Sequence, residues 1–277
     1  MPIFSRNFNK PGPGVPKDAP RKKGVARFFE LLFRDFFDLV KLNLLFSMVA
    51  LPSFIVFVFN IMGVFGEFSL FILLVSLILA YPIGGALTAY VYYITKMMRD
   101  DPSYVWYEFK RKFKENHKQA AVTGLISTMF VYTQIFVWFS FYVATSIEGG
   151  TIDLFLMLTS LIALFVFTMI VPYVFMQFSY LELNTLKVFR NSVMLTFAYL
   201  PRSFMGAVQG LIIWIIFALQ MPYSIMMLPF VLIVFISLSM LLGLSWVWKP
   251  FNEQFEIEET LKKRLAEENQ AEKVVED

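Results

Sequence analysis

Six apolar runs constrain this chain more than any other feature. A helix needs about 20 apolar residues to cross the hydrocarbon core of a bilayer. The first run has this length, and four others are long enough to span with tilt or with a turn protruding. The fifth is marginal, either a short span or a re-entrant segment. The runs cover residues 42–62, 68–95, 120–147, 154–181, 204–219 and 222–248.

The composition agrees with this pattern. Hydrophobic residues make up 58% of the chain and the mean hydropathy is +0.64, whereas a soluble domain is about 45–50% apolar. We therefore predict an all-α, polytopic membrane helix bundle of about six transmembrane helices. The membrane domain is expected over residues 42–248.

The positions of the basic residues predict the topology. All 24 lysines and arginines lie before the first run, after the last run, or in the connections that we expect at 96–119 and 182–203. Because short cytoplasmic loops carry the excess of Lys and Arg, both termini and both connections are predicted to be cytoplasmic. A re-entrant fifth run would put the basic C-terminal tail outside, which favours six spans.

Three segments flank or precede the spans. Residues 1–24 are rich in Pro, Gly and basic residues, which is typical of a disordered tail. Residues 25–41 place charges at steps of three and four with phenylalanines between them, which indicates an amphipathic helix in the membrane interface. Residues 249–277 are rich in Glu and Lys, which predicts a charged, solvated cytoplasmic tail.

A basic, aromatic segment at 103–118 interrupts the apolar sequence. Each of its cations gains about 1 kcal/mol next to anionic lipid headgroups, and its rings suit the headgroup level. Docking of a protein partner is the open alternative, and nucleic-acid binding is not expected. We expect Asp100 and Asp101 to cap the helix that follows. The candidate lipid or partner contacts here are Trp106, Phe109, Lys110, Arg111, Lys112, Phe113, Lys114 and Asn116.

Catalytic chemistry is not indicated. The chain has no Cys and one His, and it lacks the metalloprotease, hydrolase and P-loop motifs. We predict neither an enzyme, a metal site nor a cofactor. Gln134, Gln177 and Gln209 are expected to form hydrogen bonds between helices. Pro82 and Pro172 are predicted to kink their helices, and close helix packing is expected at Gly84, Gly85, Gly206 and Gly210.

Three stretches resemble the YesL-like family of bacterial multi-pass membrane proteins, a domain of unknown function. They are LNLLFSMVALPSF at 42–54, GALTAYVYYITKMMRDDPSYVWYEFKRKFKENHKQA at 85–120 and FRNSVMLTFAYLPRSF at 189–204. The resemblance implies a multi-pass protein of the bacterial cell membrane, with permease subunits of a carbohydrate ABC importer as possible partners. It makes Phe109, Phe113, Lys114, Asn116, Asn191 and Pro201 candidate contact positions, and we add Arg202, next to Pro201.

The expected function is an accessory or scaffold protein associated with carbohydrate ABC import. The alternative is a transporter or an ABC permease-like subunit that itself moves a neutral or sugar-like solute. Glu182 and Pro201 have the end spacing of the permease loop that contacts the ATPase. Val188 stands near the place of the glycine that allows the turn in that loop, which speaks against a true permease.

Overall fold

The computed structural model describes residues 22, 24–101, 103–146, 153–219 and 228–276, so nearly all of the predicted N-terminal tail lies outside the described residues. No strand occurs in these ranges. A 3-10 turn covers Gly66–Phe68 and a π-helical turn covers Val231–Phe235. The α-helices are α1 (Gly24–Arg34), α2 (Phe36–Ile61), α3 (Ser69–Leu79), α4 (Ile83–Met98), α5 (Val105–Ser146), α6 (Leu154–Tyr180), α7 (Thr185–Ala198), α8 (Leu200–Leu219), α9 (Leu228–Phe230), α10 (Ile236–Phe255) and α11 (Ile257–Glu276).

Four helical segments are long and apolar enough to cross a membrane: Phe36–Ile61, Val105–Thr145, Leu154–Tyr180 and Val231–Phe255. A fifth span is possible if α3, with the 3-10 turn before it, and α4 count as one. The prediction of an all-α membrane bundle is therefore confirmed. The count of six stays a prediction, because the apolar part of α8, Leu200–Ile215, is shorter than the other spans.

The predicted interfacial helix at 25–41 is divided between two helices. α1 ends at Arg34, and Asp35 has non-helical backbone angles, φ −108° and ψ 19°. The following residues belong to α2 and so continue into the first span. Leu31 of α1 is buried, whereas Phe29 and Phe33 of α1 are exposed. α1 thus keeps an apolar outer face, as an interfacial helix requires.

The second apolar run is broken next to its proline. α3 and α4 meet at an angle of 41° across residues 80–82, and Pro82 precedes the first residue of α4. A proline has no backbone N–H and is tolerated there, since the first N–H groups of a helix have no partner within it. α6, in contrast, continues as one helix through Pro172.

α4 and α5 approach each other more closely than a side chain would allow at three glycines. A Cβ atom on Gly84 would overlap the carbonyl oxygen of Ala120, and one on Gly124 would overlap the Cα of Gly84. A Cβ on Gly85 would lie 2.8 Å from the Cα of His117. Small residues permit this backbone contact, which is a main source of helix association inside membranes.

A second glycine contact joins α8 to α10. A Cβ on Gly206 would lie 2.9 Å from the carbonyl oxygen of Gly243, whereas one on Gly210 would lie an ordinary 3.5 Å from the carbonyl oxygen of Ser239. Gly206 and Gly210, which form a GxxxG pair, therefore both pack against α10, and Gly206 is the tighter of the two positions.

A fully buried asparagine joins three helices. The Asn43 amide donates to the carbonyl oxygens of Val231 and Leu232, at 2.9 and 2.6 Å. Its Oδ1 accepts from the Tyr90 hydroxyl and from the backbone N–H of Ser237, at 3.1 and 3.0 Å. Asn43 therefore satisfies backbone carbonyls of the π-helical turn, whose i→i+5 pattern departs from that of the helix around it.

Candidate functional site

The basic, aromatic segment forms one arm of a helical hairpin. At its outer end, Lys96 of α4 donates to Glu108 of α5 at 2.6 Å, and further in, Arg111 donates to the Tyr92 hydroxyl at 3.2 Å. These contacts continue the antiparallel alignment that begins at Gly84 and Ala120. α5 is thus held along the whole length of α4.

Glu108 is the electrostatic centre of this hairpin. It is 7% exposed, and its two oxygens accept from Lys96 at 2.6 Å and from Arg111 at 2.5 Å. Lys112 is engaged as well, at 2.8 Å from Glu115 and 4.8 Å from the centre of the Tyr92 ring. The charges of Arg111 and Lys112 are therefore already paired within the hairpin.

The buried side chain of Arg99 connects the hairpin to α6 and α10. Arg99 is 5% exposed, and its guanidinium carbon lies 5.3 Å from the ring centre of Tyr180 in α6 and 5.7 Å from that of Trp248 in α10. Asp101 forms an ion pair with it at 3.0 Å. Cation–π contacts gain strength when they are desolvated, so this cage fixes the end of α4 to the end of α6 and to α10.

Asp100 joins α1 to the same end of the bundle. Its carboxylate contacts Arg27 at 2.7 Å and Arg34 at 2.5 Å. Its φ of 63° lies in the left-handed region, which Asp and Asn tolerate better than other non-glycine residues. The prediction that Asp100 and Asp101 cap the next helix is wrong, because α5 begins at Val105, four residues after Asp101. Their carboxylates form ion pairs with arginines.

Asp100→Asn is expected to loosen α1. The amide keeps the backbone preference but loses the charge that attracts two guanidinium groups, at a cost of about 1 kcal/mol for partly exposed pairs. The chain has no native cysteine, so a Leu31→Cys probe in α1 reports on its detachment. Maleimide labelling should accelerate in the Asp100→Asn background and stay unchanged with Asp101→Asn. Equal rates in all three backgrounds would contradict this role.

The same contact predicts a dependence on pH. Burial raises the pKa of Asp100, but the hydrogen bonds from Arg27 and Arg34 outweigh it and hold this pKa below its ordinary value. A lowered folded-state pKa gives stability that is fully present above the unfolded value of about 4 and is lost as the pH falls through the folded value. Because only the thiolate reacts with maleimide, the Leu31→Cys rate is divided by that of a Tyr104→Cys variant, whose side chain is exposed, at the same pH. This ratio should stay low at pH 5 and rise only in stronger acid. A rise between pH 7 and 5 would contradict the assignment.

An exposed face of α5 remains after these internal contacts. Trp106 and Tyr107 are 63% and 64% exposed, and Tyr104, just before the helix, is 85% exposed. Lys110, Lys114 and Lys118 follow Trp106 at steps of four and are exposed too. An open cleft of about 460 Å³ lies among Ser103, Tyr104, Tyr107 and Glu108. We call Tyr104, Trp106, Tyr107, Lys110 and Lys114 the outer face.

Three predicted contact positions on α5 point into the protein. Phe109 is 6% exposed and Asn116 is 9% exposed. Phe113 is half-buried, with its ring stacked between those of Phe109 and His117. Sequence spacing alone does not separate these residues from Trp106 and Lys110, because the inner face of α5 is also polar and aromatic.

The second predicted connection contributes a separate surface. Asn191 is half-buried on α7, and Pro201 is exposed in the first turn of α8. Arg202 forms an ion pair with Glu253 of α10 at 3.6 Å. These positions are not in contact with the outer face through any hydrogen bond or ion pair between described residues.

The amides inside the bundle bind neighbouring helices. Gln134 accepts from Ser160 of α6 at 2.6 Å, and the fully buried Gln177 donates to Ser192 of α7 at 2.7 Å. Gln209 is half-buried on α8. Among the described residues, no group of three or more His, Cys, Asp or Glu is placed to hold a metal ion.

Sequence reasoning did not find Asn43, the Arg99 cage or the contacts of Arg27 and Arg34 with Asp100. The signal for Asn43 was its position just inside an apolar run, where an amide needs several partners. The partners of Asp100 lie 66 and 73 positions away along the chain, and no local pattern indicates them.

Comparisons with protein-family models, with curated proteins and with solved structures give no significant match. The resemblance to the YesL-like family therefore stays a prediction.

Proposed function

We propose that this protein is a non-enzymatic accessory or scaffold component of a membrane assembly. The observation that carries the proposal is the division of its polar groups. Inside the bundle, Asn43, Gln134 and Gln177 bind other helices, whereas the outer face of α5 presents rings and lysines outward. The buried amides therefore stabilise the bundle, and the exposed rings and lysines at one end of it are available to a partner.

The orientation belongs to the same proposal. Contacts at the charged end of the bundle come from three separate helix ends or segments, which contribute Arg27, the pair Lys96 and Arg99, and Arg202. The positive-inside rule assigns such an end to the cytoplasm. Both termini would then be cytoplasmic, with anionic lipid headgroups near the cytoplasmic ends of the spans.

The association with a carbohydrate ABC importer rests on the family resemblance. It names permease subunits as the partners, and the exposed end of the bundle supplies a surface for them. A transporter is the alternative, and it requires a polar path for a neutral or sugar-like solute. The interhelical bonds of Gln134 and Gln177 count against such a path.

Co-purification from the native membrane tests the proposal. The tagged protein, extracted in gentle detergent, should carry stoichiometric permease subunits of a carbohydrate importer, and in liposomes it should move no sugar by itself. The matched control is a tagged membrane protein of similar size at the same expression level. A protein that purifies alone and takes up sugar in liposomes would refute the scaffold and establish the transporter.

A further inference from the structure

The hydrogen-bond ladder of the segment Val231–Phe255 is interrupted where the π-helical turn joins α10. In a regular α-helix the N–H of Ser237 would bond to the carbonyl of Ile233, four positions before it. Instead, the Ser237 N–H donates to the Asn43 Oδ1 at 3.0 Å, and the Asn43 amide nitrogen donates to the Leu232 carbonyl at 2.6 Å. The Asn43 amide therefore lies between a carbonyl and an N–H group that are five positions apart.

This spacing means that the segment contains one residue more than a regular α-helix accommodates. The extra residue widens the backbone into the π-helical turn, a form that occurs mostly as single-turn bulges inside α-helices. A side-chain amide carries both an acceptor oxygen and two donors, so the Asn43 amide completes both sides of the widened ladder at once. Its second donor reaches the Val231 carbonyl at 2.9 Å. An aliphatic side chain in this place would complete neither side.

The part of α10 that follows the turn is held by other helices as well. The hydroxyl of Ser237 lies 2.6 Å from that of Tyr90 in α4. Two residues further on, the Ser239 hydroxyl donates to the Gly210 carbonyl of α8 at 2.6 Å. The position of this part of α10 therefore does not depend on Asn43 alone.

The residues before the turn depend on Asn43 much more. The π-helical turn packs against α2, and Phe230, just before it, is 52% exposed. Among the hydrogen bonds and ion pairs that join described residues, Val231 and Leu232 reach another helix only through the Asn43 amide. This amide thus controls how the start of the segment is oriented relative to the rest of α10.

We propose that Asn43 is a register determinant, whose amide accommodates one extra residue in the segment Val231–Phe255. It thereby fixes which faces the residues before Ser237 present to α2. A shift by one residue of an α-helix would turn those residues by about 100° around the axis and move them about 1.5 Å along it. A single buried asparagine fixes the register of packed helices in coiled coils in the same sense. The inference concerns packing within the bundle and is independent of the proposed scaffold function.

Deletion of one residue tests this role, because it removes what the amide accommodates. Ile233 is 41% exposed, and its deletion would place Leu232 four positions before Ser237, which is the spacing of a regular α-helical bond. We expect Asn43→Leu and the Ile233 deletion each to lower the midpoint of unfolding of the full-length chain in detergent. The combined variant should recover at least half of the shift that Asn43→Leu causes.

Asn60→Leu provides the matched background. Asn60 lies on the same helix as Asn43, and its Oδ1 accepts no hydrogen bond from the described residues. In this background the Ile233 deletion should lower the midpoint as much as it does in the parent. If Asn43→Leu yields no folded protein, the yield of folded monomer replaces the midpoint, and the deletion should restore it.

Hydrogen exchange over residues 231–237 separates a repaired ladder from stabilisation elsewhere. Asn43→Leu should accelerate exchange there, and the added Ile233 deletion should return it to the rate of the parent. A combined variant that is no more stable than Asn43→Leu would overturn the inference, and so would an equal gain in the Asn60→Leu background. Recovery of the midpoint without recovery of protection in this segment would also contradict it.

Discussion

Gly124→Ala is expected to destabilise the bundle by about 3 kcal/mol, at the upper end of the usual cost of overpacking. The added Cβ would overlap the Cα of Gly84, and a backbone atom cannot turn aside as the end of a side chain can. α4 and α5 would have to separate along the hairpin that carries the outer face. Equilibrium unfolding in detergent, followed by circular dichroism, measures the loss.

Gly210→Ala is the matched control for this prediction. Its Cβ would lie 3.5 Å from the carbonyl oxygen of Ser239, an ordinary van der Waals distance. Alanine also favours a helix by about 1 kcal/mol relative to glycine, so Gly210→Ala should be neutral or slightly stabilising. If both variants unfold at the parent's midpoint, the close approach of α4 and α5 does not exist.

Asn43→Leu is expected to cost about 3 kcal/mol. The leucine leaves the carbonyls of Val231 and Leu232 and the Ser237 N–H without the amide that satisfies them, whereas the Tyr90 hydroxyl keeps its bond with the Ser237 hydroxyl. A buried group that loses its partner costs about 1–3 kcal/mol, and several such groups share this one amide. The midpoint of unfolding in detergent should fall, and hydrogen exchange in the 231–237 segment should accelerate.

Asn60→Leu is the matched control for Asn43→Leu, because it makes the same change of side chain without removing a hydrogen bond to Oδ1. Asn60 lies in the same helix and is 8% exposed, but its Oδ1 accepts no hydrogen bond from the described residues. Replacing a buried, unsatisfied amide with an apolar side chain should be neutral or stabilising. Comparable losses in both variants would mean that Asn43 has no special role.

The sequence was sufficient to predict helices and a membrane location, because both follow from local apolar runs. It was not sufficient for the ends of those helices. The apolar run at 42–62 suggested a first span that begins at Leu42, but α2 begins at Phe36. Charged residues are tolerated there because the helix packs against protein: the Asp38 carboxylate accepts from the Tyr93 hydroxyl of α4.

The division of the second run was only partly predictable. Pro82 indicated a kink, yet the length of the run suggested one span, whereas two separate helices meet there at 41°. The tight contact of Gly84 with α5 lies directly after this bend, in the first turn of α4. No pattern along one helix specifies which neighbour will approach it.

The candidate site was also only partly predictable from the sequence. Trp106 and Lys110 were predicted as surface residues together with Phe109, which is buried. The distinction is set by α4, whose position along α5 depends on glycines in both helices. The Arg99 cage and the contacts of Asp100 likewise join segments far apart in sequence, so only the tertiary structure brings them together.

A depth measurement tests the central claim that the hairpin of α4 and α5 places its apolar end inside the hydrocarbon core and its aromatic, basic end outside it. The chain has no native cysteine, so single spin labels at Tyr107→Cys and Ile126→Cys can be compared in liposomes by their collisions with oxygen and with a water-soluble nickel chelate. Ile126 is 63% exposed in the apolar part of α5 and should show oxygen contact. We expect the Tyr107 label to collide with the nickel chelate far more often than the Ile126 label does. A Tyr107 label protected from nickel and accessible to oxygen would place this end of α5 in the hydrocarbon core and contradict the account.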